Sequence, residues 1–162
     1  MRTLLVSFYL LAFTSFANAQ PVKTHGHLHV EGTQLMDEAG HQIVLRGMSF
    51  GWHNFWPRFY NAGAVKWLHT DWNVSVVRAA MGVEPKNGYI DNPEESKARI
   101  EAVINAAIAQ GIYVIIDWHS HHIRLEEAKT FFKEMAMKYG KYPNIIYEIF
   151  NEPEYDTWAD VK

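Results

Sequence analysis

The chain has 162 residues, no cysteine and a formal net charge of −3 at pH 7. This mildly acidic balance excludes a basic patch for nucleic acid, and the absence of cysteine excludes a fold that disulfides hold together. A chain of this length is expected to form one ordinary domain that depends on its hydrophobic core.

The first 19 residues have the pattern of a secretory signal peptide. Arg2 supplies a positive charge, residues 4–12 form an apolar stretch, and residues 17–19 (Ala-Asn-Ala) form a small-x-small cleavage site. A membrane anchor is the alternative, but the apolar stretch is shorter than the roughly 20 residues that span a bilayer. We therefore predict a secreted, extracellular or periplasmic protein with a mature domain at residues 20–162 and no membrane association after cleavage.

The mature part of the chain starts with a predicted β-hairpin and a first βα unit. Short strand-like pieces at residues 28–30 and 34–36 flank a turn. Residues 43–49 then predict a first core strand. Asn61 is a helix cap residue, and the spacing that follows predicts a helix to about Trp72, which itself lies on the inner face.

Two further strands and helices follow in strict alternation. Residues 74–81 and 113–117 predict core strands. Asn92 and Pro93 predict the start of a helix that Gly111 ends, and residues 125–139 predict another that Gly140 ends.

The last strand is predicted within residues 144–153 (Asn-Ile-Ile-Tyr-Glu-Ile-Phe-Asn-Glu-Pro). Its β-branched and aromatic residues indicate a strand that is buried on both faces. Glu148 lies within this strand and is expected to form an ion pair, whereas Glu152 follows the strand. The carboxyl end of a parallel strand is the usual position of a catalytic group in a β/α barrel.

Four strands that alternate with three helices predict an α/β fold. Each strand-helix-strand unit takes about 30 to 40 residues, as a right-handed parallel crossover requires. A complete (β/α)8 TIM barrel needs about 250 residues. We therefore expect the first four βα units of such a barrel, with the N-terminal hairpin before them and truncation after strand four.

Parallel neighbouring strands bring the side chains at their carboxyl ends to one face of the sheet. The residues expected there are Arg78, Trp118, His119, Asn151 and Glu152. A carboxyl such as Glu152 can protonate a leaving oxygen, and an amide such as that of Asn151 can donate to a neighbouring hydroxyl. Arg78 and His119 could orient a second carboxylate. Asp117 is interpreted as structural.

Three closely spaced histidines leave a metal site open as an alternative. His119, His121 and His122 follow the third core strand, and histidines at barrel strand ends are typical of metal-dependent hydrolases. No further histidine follows a later strand, however, and His121 and His122 fall in a loop. We therefore predict that His119 acts through hydrogen bonds and that the protein uses no metal and no other cofactor.

Four motifs in order resemble the N-terminal half of a glycoside hydrolase family 5 endoglucanase, a cellulase. They are residues 45–49 (Leu-Arg-Gly-Met-Ser), 77–81 (Val-Arg-Ala-Ala-Met), 113–119 (Tyr-Val-Ile-Ile-Asp-Trp-His) and 146–153 (Ile-Tyr-Glu-Ile-Phe-Asn-Glu-Pro). The resemblance implies a retaining double displacement on a β-1,4-glucan without a metal.

The same resemblance implies roles for particular residues. Glu152 matches the acid/base, and Asn151 matches the residue that bonds the sugar 2-hydroxyl. Arg78 and His119 match the pair that supports the nucleophile. That nucleophile is a glutamate that ends the seventh strand of the family's barrel, and no residue of this chain matches it. The 162 residues alone are therefore expected to be inactive.

Aromatic residues make up 14 % of the chain, and several of the six tryptophans lie in polar stretches, which suits stacking on sugar rings. Trp52 and His53 are candidates for a sugar subsite after the first strand, and Tyr89 is a weaker candidate. The expected partner is a β-glucan polysaccharide, bound by a monomer. Two alternatives stay open: a truncated glycan-binding protein without catalysis, and a metal-dependent barrel hydrolase.

Overall fold

The computed structural model describes residues 20–162, so the predicted signal peptide lies outside the described residues. A short helix α1 (Pro21–His25) comes first, and strands β1 (His29–Glu31) and β2 (Gln34–Met36) follow. The two strands pair antiparallel, with Val30 opposite Leu35. The predicted N-terminal hairpin is therefore confirmed.

A four-stranded parallel sheet forms the centre of the described fold. Its order, β3-β4-β5-β6, follows the order of the strands along the chain. The strands are β3 (Gly47–Ser49), β4 (Val76–Gly82), β5 (Tyr113–His119) and β6 (Ile145–Glu148). Sequential order in a parallel sheet is the arrangement of the first four strands of a β/α barrel, and the sheet of the described residues is not closed.

One helix follows each of the first three core strands. They are α2 (Ala62–Trp72), α3 (Pro93–Gln110) and α4 (Leu125–Tyr139). The side chain of Asn61 accepts a hydrogen bond from the backbone N–H of Ala64 at 3.0 Å, as a helix cap does. Gly111 ends α3 in the left-handed region at φ 71°. A last short helix, α5 (Trp158–Val161), comes after β6.

The hydrophobic core lies between the sheet and the helices. The strands β4 and β5 carry most of the buried apolar side chains of the sheet, and α2, α3 and α4 cover them. Each fully buried aliphatic or aromatic side chain contributes about 1.5–3 kcal/mol through the hydrophobic effect. The helical residues with full burial are Val65, Ile100, Val103, Ile104, Ala107, Phe131 and Met135.

Two predictions for the first βα unit are wrong: the start of its strand and the burial of Trp72. The predicted first core strand begins only at Gly47, because Ile43 still bonds to Leu35 of the hairpin and Val44 is 68 % exposed. Trp72 does not face the core either. Trp72 is the last residue of α2 and is 56 % exposed. Its ring packs edge-on against the exposed Trp67 ring at 5.8 Å.

The last strand is shorter and more exposed than its sequence predicts. β6 ends at Glu148, its residues are only partly buried, and Ile149 is 65 % exposed. Within residues 20–162 this strand pairs with β5 alone, so it lies at an edge of the sheet. The prediction of burial on both faces is therefore wrong for the described structure. None of the described helices is long and apolar enough to cross a membrane.

Candidate active site

Arg78 is the centre of a polar network at the carboxyl ends of the core strands. Its guanidinium donates two hydrogen bonds of 2.7 Å to the carboxylate of Glu148 on β6. Nη2 also lies 2.9 Å from Oδ2 of Asp117 and 2.9 Å from Oδ1 of Asn151. The hydrogen bonds to Glu148 raise the pKa of Arg78 further, so its positive charge is permanent. The predicted ion pair of Glu148 is confirmed.

Asp117 joins Arg78 to His119. The Asp117 side chain is fully buried, and its Oδ2 lies 2.7 Å from Nδ1 of His119. Burial raises the pKa of Asp117, while the hydrogen bond from His119 and the charge of Arg78 act in the opposite direction. Because Asp117 binds Nδ1–H, Nε2 of His119 is left for another partner.

Alternation along β5 decides which of its side chains face the site. Asp117 and His119 are two residues apart and therefore share a face, whereas Trp118 points the other way. Trp118 is 1 % exposed and packs against Tyr89 at 5.1 Å and Phe131 at 5.5 Å. The expected place of Trp118 in the polar constellation is wrong. The missed member is Asp117, which the period-two pattern of a strand could have identified.

Asn151 and Glu152 follow β6 and lie at the rim of this network. The backbone N–H of Glu152 bonds to the carbonyl of Ser120 at 3.3 Å. Its side chain is 69 % exposed, and its Oε2 lies 3.3 Å from Nε2 of His121. Asn151 uses Oδ1 to accept from Arg78, and its buried Nδ2 has no partner among the described residues.

Trp52 lies beside these residues. Its ring meets the His119 ring edge-on at a centroid distance of 4.2 Å and the His121 ring at 5.3 Å. The side chain is partly exposed. Of the three predicted sugar contacts, Trp52 is the one that the structure places next to the strand-end network.

His53 and Tyr89 are buried away from the rim of the network, and their contact with sugar stays a prediction. His53 is 1 % exposed; its Nδ1 accepts from the Gly82 N–H at 3.0 Å and its Nε2 lies 2.9 Å from Oγ of Ser96. Burial lowers the pKa of His53 to about 4. Tyr89 is 7 % exposed and packs against Trp118. Both side chains stabilise loops around the site.

The loop histidines contact carboxylates and aromatic rings. His121 lies between Glu152 and Glu154, and the His122 ring stacks on Tyr155 at 6.3 Å. Residues 20–162 contain no group of three histidine, aspartate or glutamate side chains arranged to hold a metal ion.

Residues 36–162 match the family model of cellulase, glycosyl hydrolase family 5. Endoglucanase Z of Dickeya dadantii is 40 % identical over 157 residues, which cover 96 % of this chain and 36 % of the relative. An endoglucanase of Clostridium saccharobutylicum is 44 % identical over 153 residues, which cover 90 % of this chain and 34 % of the relative.

Solved structures give the same result. The catalytic domain of Thermobifida fusca endoglucanase Cel5A is 35 % identical with a TM-score of 0.81, and the match covers 88 % of this chain and 48 % of that domain. A variant of that domain has been solved in complex with cellotetraose. The chain therefore spans about a third of the length of the two endoglucanases above and about half of this catalytic domain.

Proposed function

This chain belongs to glycosyl hydrolase family 5, and from that premise we propose that it serves in the hydrolysis of cellulose or a related β-1,4-glucan as an exported endoglucanase. The observation that carries the proposal is the Asn151–Glu152 pair at the end of β6. Arg78 fixes Asn151 by a 2.9 Å hydrogen bond, and Glu152 projects beside it with an exposed carboxyl.

Glu152 is the general acid/base in this proposal. In the first step its carboxyl protonates the oxygen of the departing glucan chain while a nucleophile attacks the anomeric carbon. In the second step the Glu152 carboxylate removes a proton from the water that releases the covalent glycosyl-enzyme. The result is retention of the anomeric configuration.

Asn151 and the arginine network serve the same two steps. The unpartnered Nδ2 of Asn151 donates to the 2-hydroxyl beside the reacting carbon, where a hydrogen bond that strengthens in the transition state lowers the barrier. Arg78 provides positive charge for the nucleophile, and His119, whose Nδ1–H binds Asp117, offers Nε2 as a hydrogen-bond acceptor at the same site. Asp117 and Glu148 already bind Arg78, so neither is assigned that role.

The nucleophile comes from another part of the family's barrel. The family resemblance places it as a glutamate at the end of the seventh strand, within about 5 to 5.5 Å of the acid/base carboxyl in a retaining enzyme. The function therefore needs a polypeptide in which this chain forms part of a complete family 5 barrel. Residues 1–162 alone are expected to be inactive.

The substrate class is proposed from the relatives and from Trp52. The relatives are named as endoglucanases, and the Thermobifida fusca domain binds cellotetraose. Trp52 lies beside His119 with part of its indole exposed, where it can stack on a glucose ring. Export through the signal peptide at residues 1–19 would bring a monomeric enzyme to polysaccharide outside the cytoplasm.

A leaving-group comparison tests the acid role. In a polypeptide in which this chain is part of a complete barrel, Glu152→Ala should lower kcat/KM, which reports the first step, on cello-oligosaccharides by about 10²–10⁴-fold. The loss should be much smaller on an aryl cellobioside with a good leaving group, because that departure needs no proton. Glu126→Gln, at an 80 % exposed position on α4, is the matched control and should leave both rates unchanged. Equal losses on both substrates would reject Glu152 as the acid.

A further inference from the structure

His121 lies between two glutamates, one of which is the proposed acid/base. Nε2 of His121 lies 3.3 Å from Oε2 of Glu152, and Nδ1 lies 3.1 Å from Oε1 of Glu154. We propose that His121 is a positioning residue: it holds the Glu152 carboxyl in the orientation needed for proton donation, and Glu154 in turn holds the His121 ring. This inference rests on the proposed function of Glu152.

Neighbouring side chains hold the imidazole ring of His121 on several sides. His121 is 29 % exposed, and the Trp52 ring packs edge-on against it at 5.3 Å. The ring of His119 is the other titratable group nearby, with a centroid distance of 6.4 Å. An imidazole with a carboxylate oxygen at each nitrogen and an indole on its side has little freedom to rotate.

The backbone brings the two loops together before the side chains meet. The N–H of Glu152 donates to the carbonyl of Ser120, the residue directly before His121. Ser120 is fully buried; its Oγ accepts from the His122 N–H at 3.2 Å, and its single hydroxyl proton has Glu84 and the carbonyl of His122 as alternative acceptors. The loop after β5 and the loop after β6 are thus joined at the point where His121 reaches Glu152.

The contact between His121 and Glu152 determines where the proton of Glu152 lies. A neutral imidazole carries one N–H, so two hydrogen bonds to two carboxyl groups require one further proton in the Glu152–His121–Glu154 group, and the acid form of Glu152 requires a second one, on Oε1. When Nε2–H donates to Oε2 of Glu152, Oε1 remains directed at the departing oxygen. After Glu152 has given up its proton, the same donor stabilises the carboxylate that forms.

Substitution of His121 by glutamine or by asparagine separates its contact with Glu152 from its contact with Glu154. In His121→Gln the amide nitrogen can occupy the position of Nε2 and keep a donor to Glu152, whereas in His121→Asn it lies near Nδ1 and that donor is lost. On cello-oligosaccharides His121→Asn should lower kcat by about threefold to tenfold, with KM unchanged, since one partly exposed hydrogen bond to a charged group is removed. His121→Gln should retain most of the rate, and Glu154→Gln should fall between the two.

The leaving group and a neighbouring histidine provide the controls. The kcat/KM of His121→Asn on an aryl cellobioside with a good leaving group should stay within twofold of wild type. His122→Gln changes the neighbouring ring, which stacks on Tyr155, and should leave both rates unchanged. Equal losses for the Asn and Gln variants, or equal losses on both substrates, would overturn the inference.

A measurement that needs no turnover distinguishes this inference from the proposed function. In a polypeptide that carries this chain and a complete barrel, ¹⁵N NMR of labelled histidine should show that Glu152→Gln shifts the Nε2 resonance of His121 and Glu154→Gln shifts the Nδ1 resonance. Unshifted resonances in both variants would overturn the positioning role even if Glu152 is the acid. Shifted resonances in a protein that Glu152→Ala does not impair would reject the proposed function instead.

Discussion

Acid should destabilise the fold through one buried side chain, His53. The Gly82 N–H donates to Nδ1 of His53, so that nitrogen is an acceptor without a proton, and Nε2–H faces Ser96. A second proton on the ring would break the bond to Gly82 and place a charge in the core. Burial therefore lowers the pKa of His53 from its ordinary 6.5 to about 4.

The sign and size of the effect follow from linkage. Because the pKa of His53 is lower in the folded state, its contribution is fully present above pH 6.5 and is lost as the pH falls towards 4. The linkage relation gives a loss of about 2 kcal/mol at pH 5 and about 3 kcal/mol at pH 4. Trp52 precedes His53 in the chain, so its position beside His119 should loosen over the same range.

Urea unfolding between pH 7 and pH 4, followed by tryptophan fluorescence, measures this loss. The matched variant is His53→Asn, whose Oδ1 can accept from Gly82 but does not titrate, and its free energy of unfolding should fall by about 2 kcal/mol less than that of wild type between pH 7 and pH 5. Ser96→Ala should lower stability by about 1 kcal/mol and keep the wild-type pH dependence. Identical pH dependence in wild type and His53→Asn would refute the reasoning.

Three further predictions address the network, the sheet and the reaction. Arg78→Lys should lower the free energy of unfolding by about 2–3 kcal/mol, because a lysine cannot make the paired hydrogen bonds to Glu148 and serve Asp117 as well; an unchanged urea midpoint would count against the network. Gly47→Ala should cost about 3 kcal/mol or more and reduce the soluble yield, since its Cβ would lie 1.7 Å from the carbonyl oxygen of Val76, and wild-type stability would show that β3 and β4 do not approach so closely. Chelation with EDTA should leave β-glucan hydrolysis unchanged, whereas complete loss that Zn²⁺ restores would favour a metal-dependent barrel hydrolase.

The sequence alone determined the elements and their order. Asn61, Gly111 and Gly140 are local signals, and they predicted the start of α2 and the ends of α3 and α4 from neighbouring residues. The bounds of α4, residues 125–139, agree with the prediction because its apolar stripe and its stop lie within one stretch of chain. The four strand-end motifs likewise lie on four adjacent parallel strands, as their spacing predicted.

Tertiary structure decided which polar side chains meet. His53 looked like a sugar contact in a loop, but it is buried by Gly82 and Ser96, which lie 29 and 43 residues further along the chain. Asp117 looked structural, yet it connects Arg78 with His119 because β4 and β5 pair in a particular register. Strand alternation places Asp117 on the same face as His119, but its contact with Arg78 depends on the register between β4 and β5, and the contacts of His53 depend on loop packing between distant segments. The same reason explains why the contact between His121 and Glu152 became visible only when the loops after β5 and β6 were brought together.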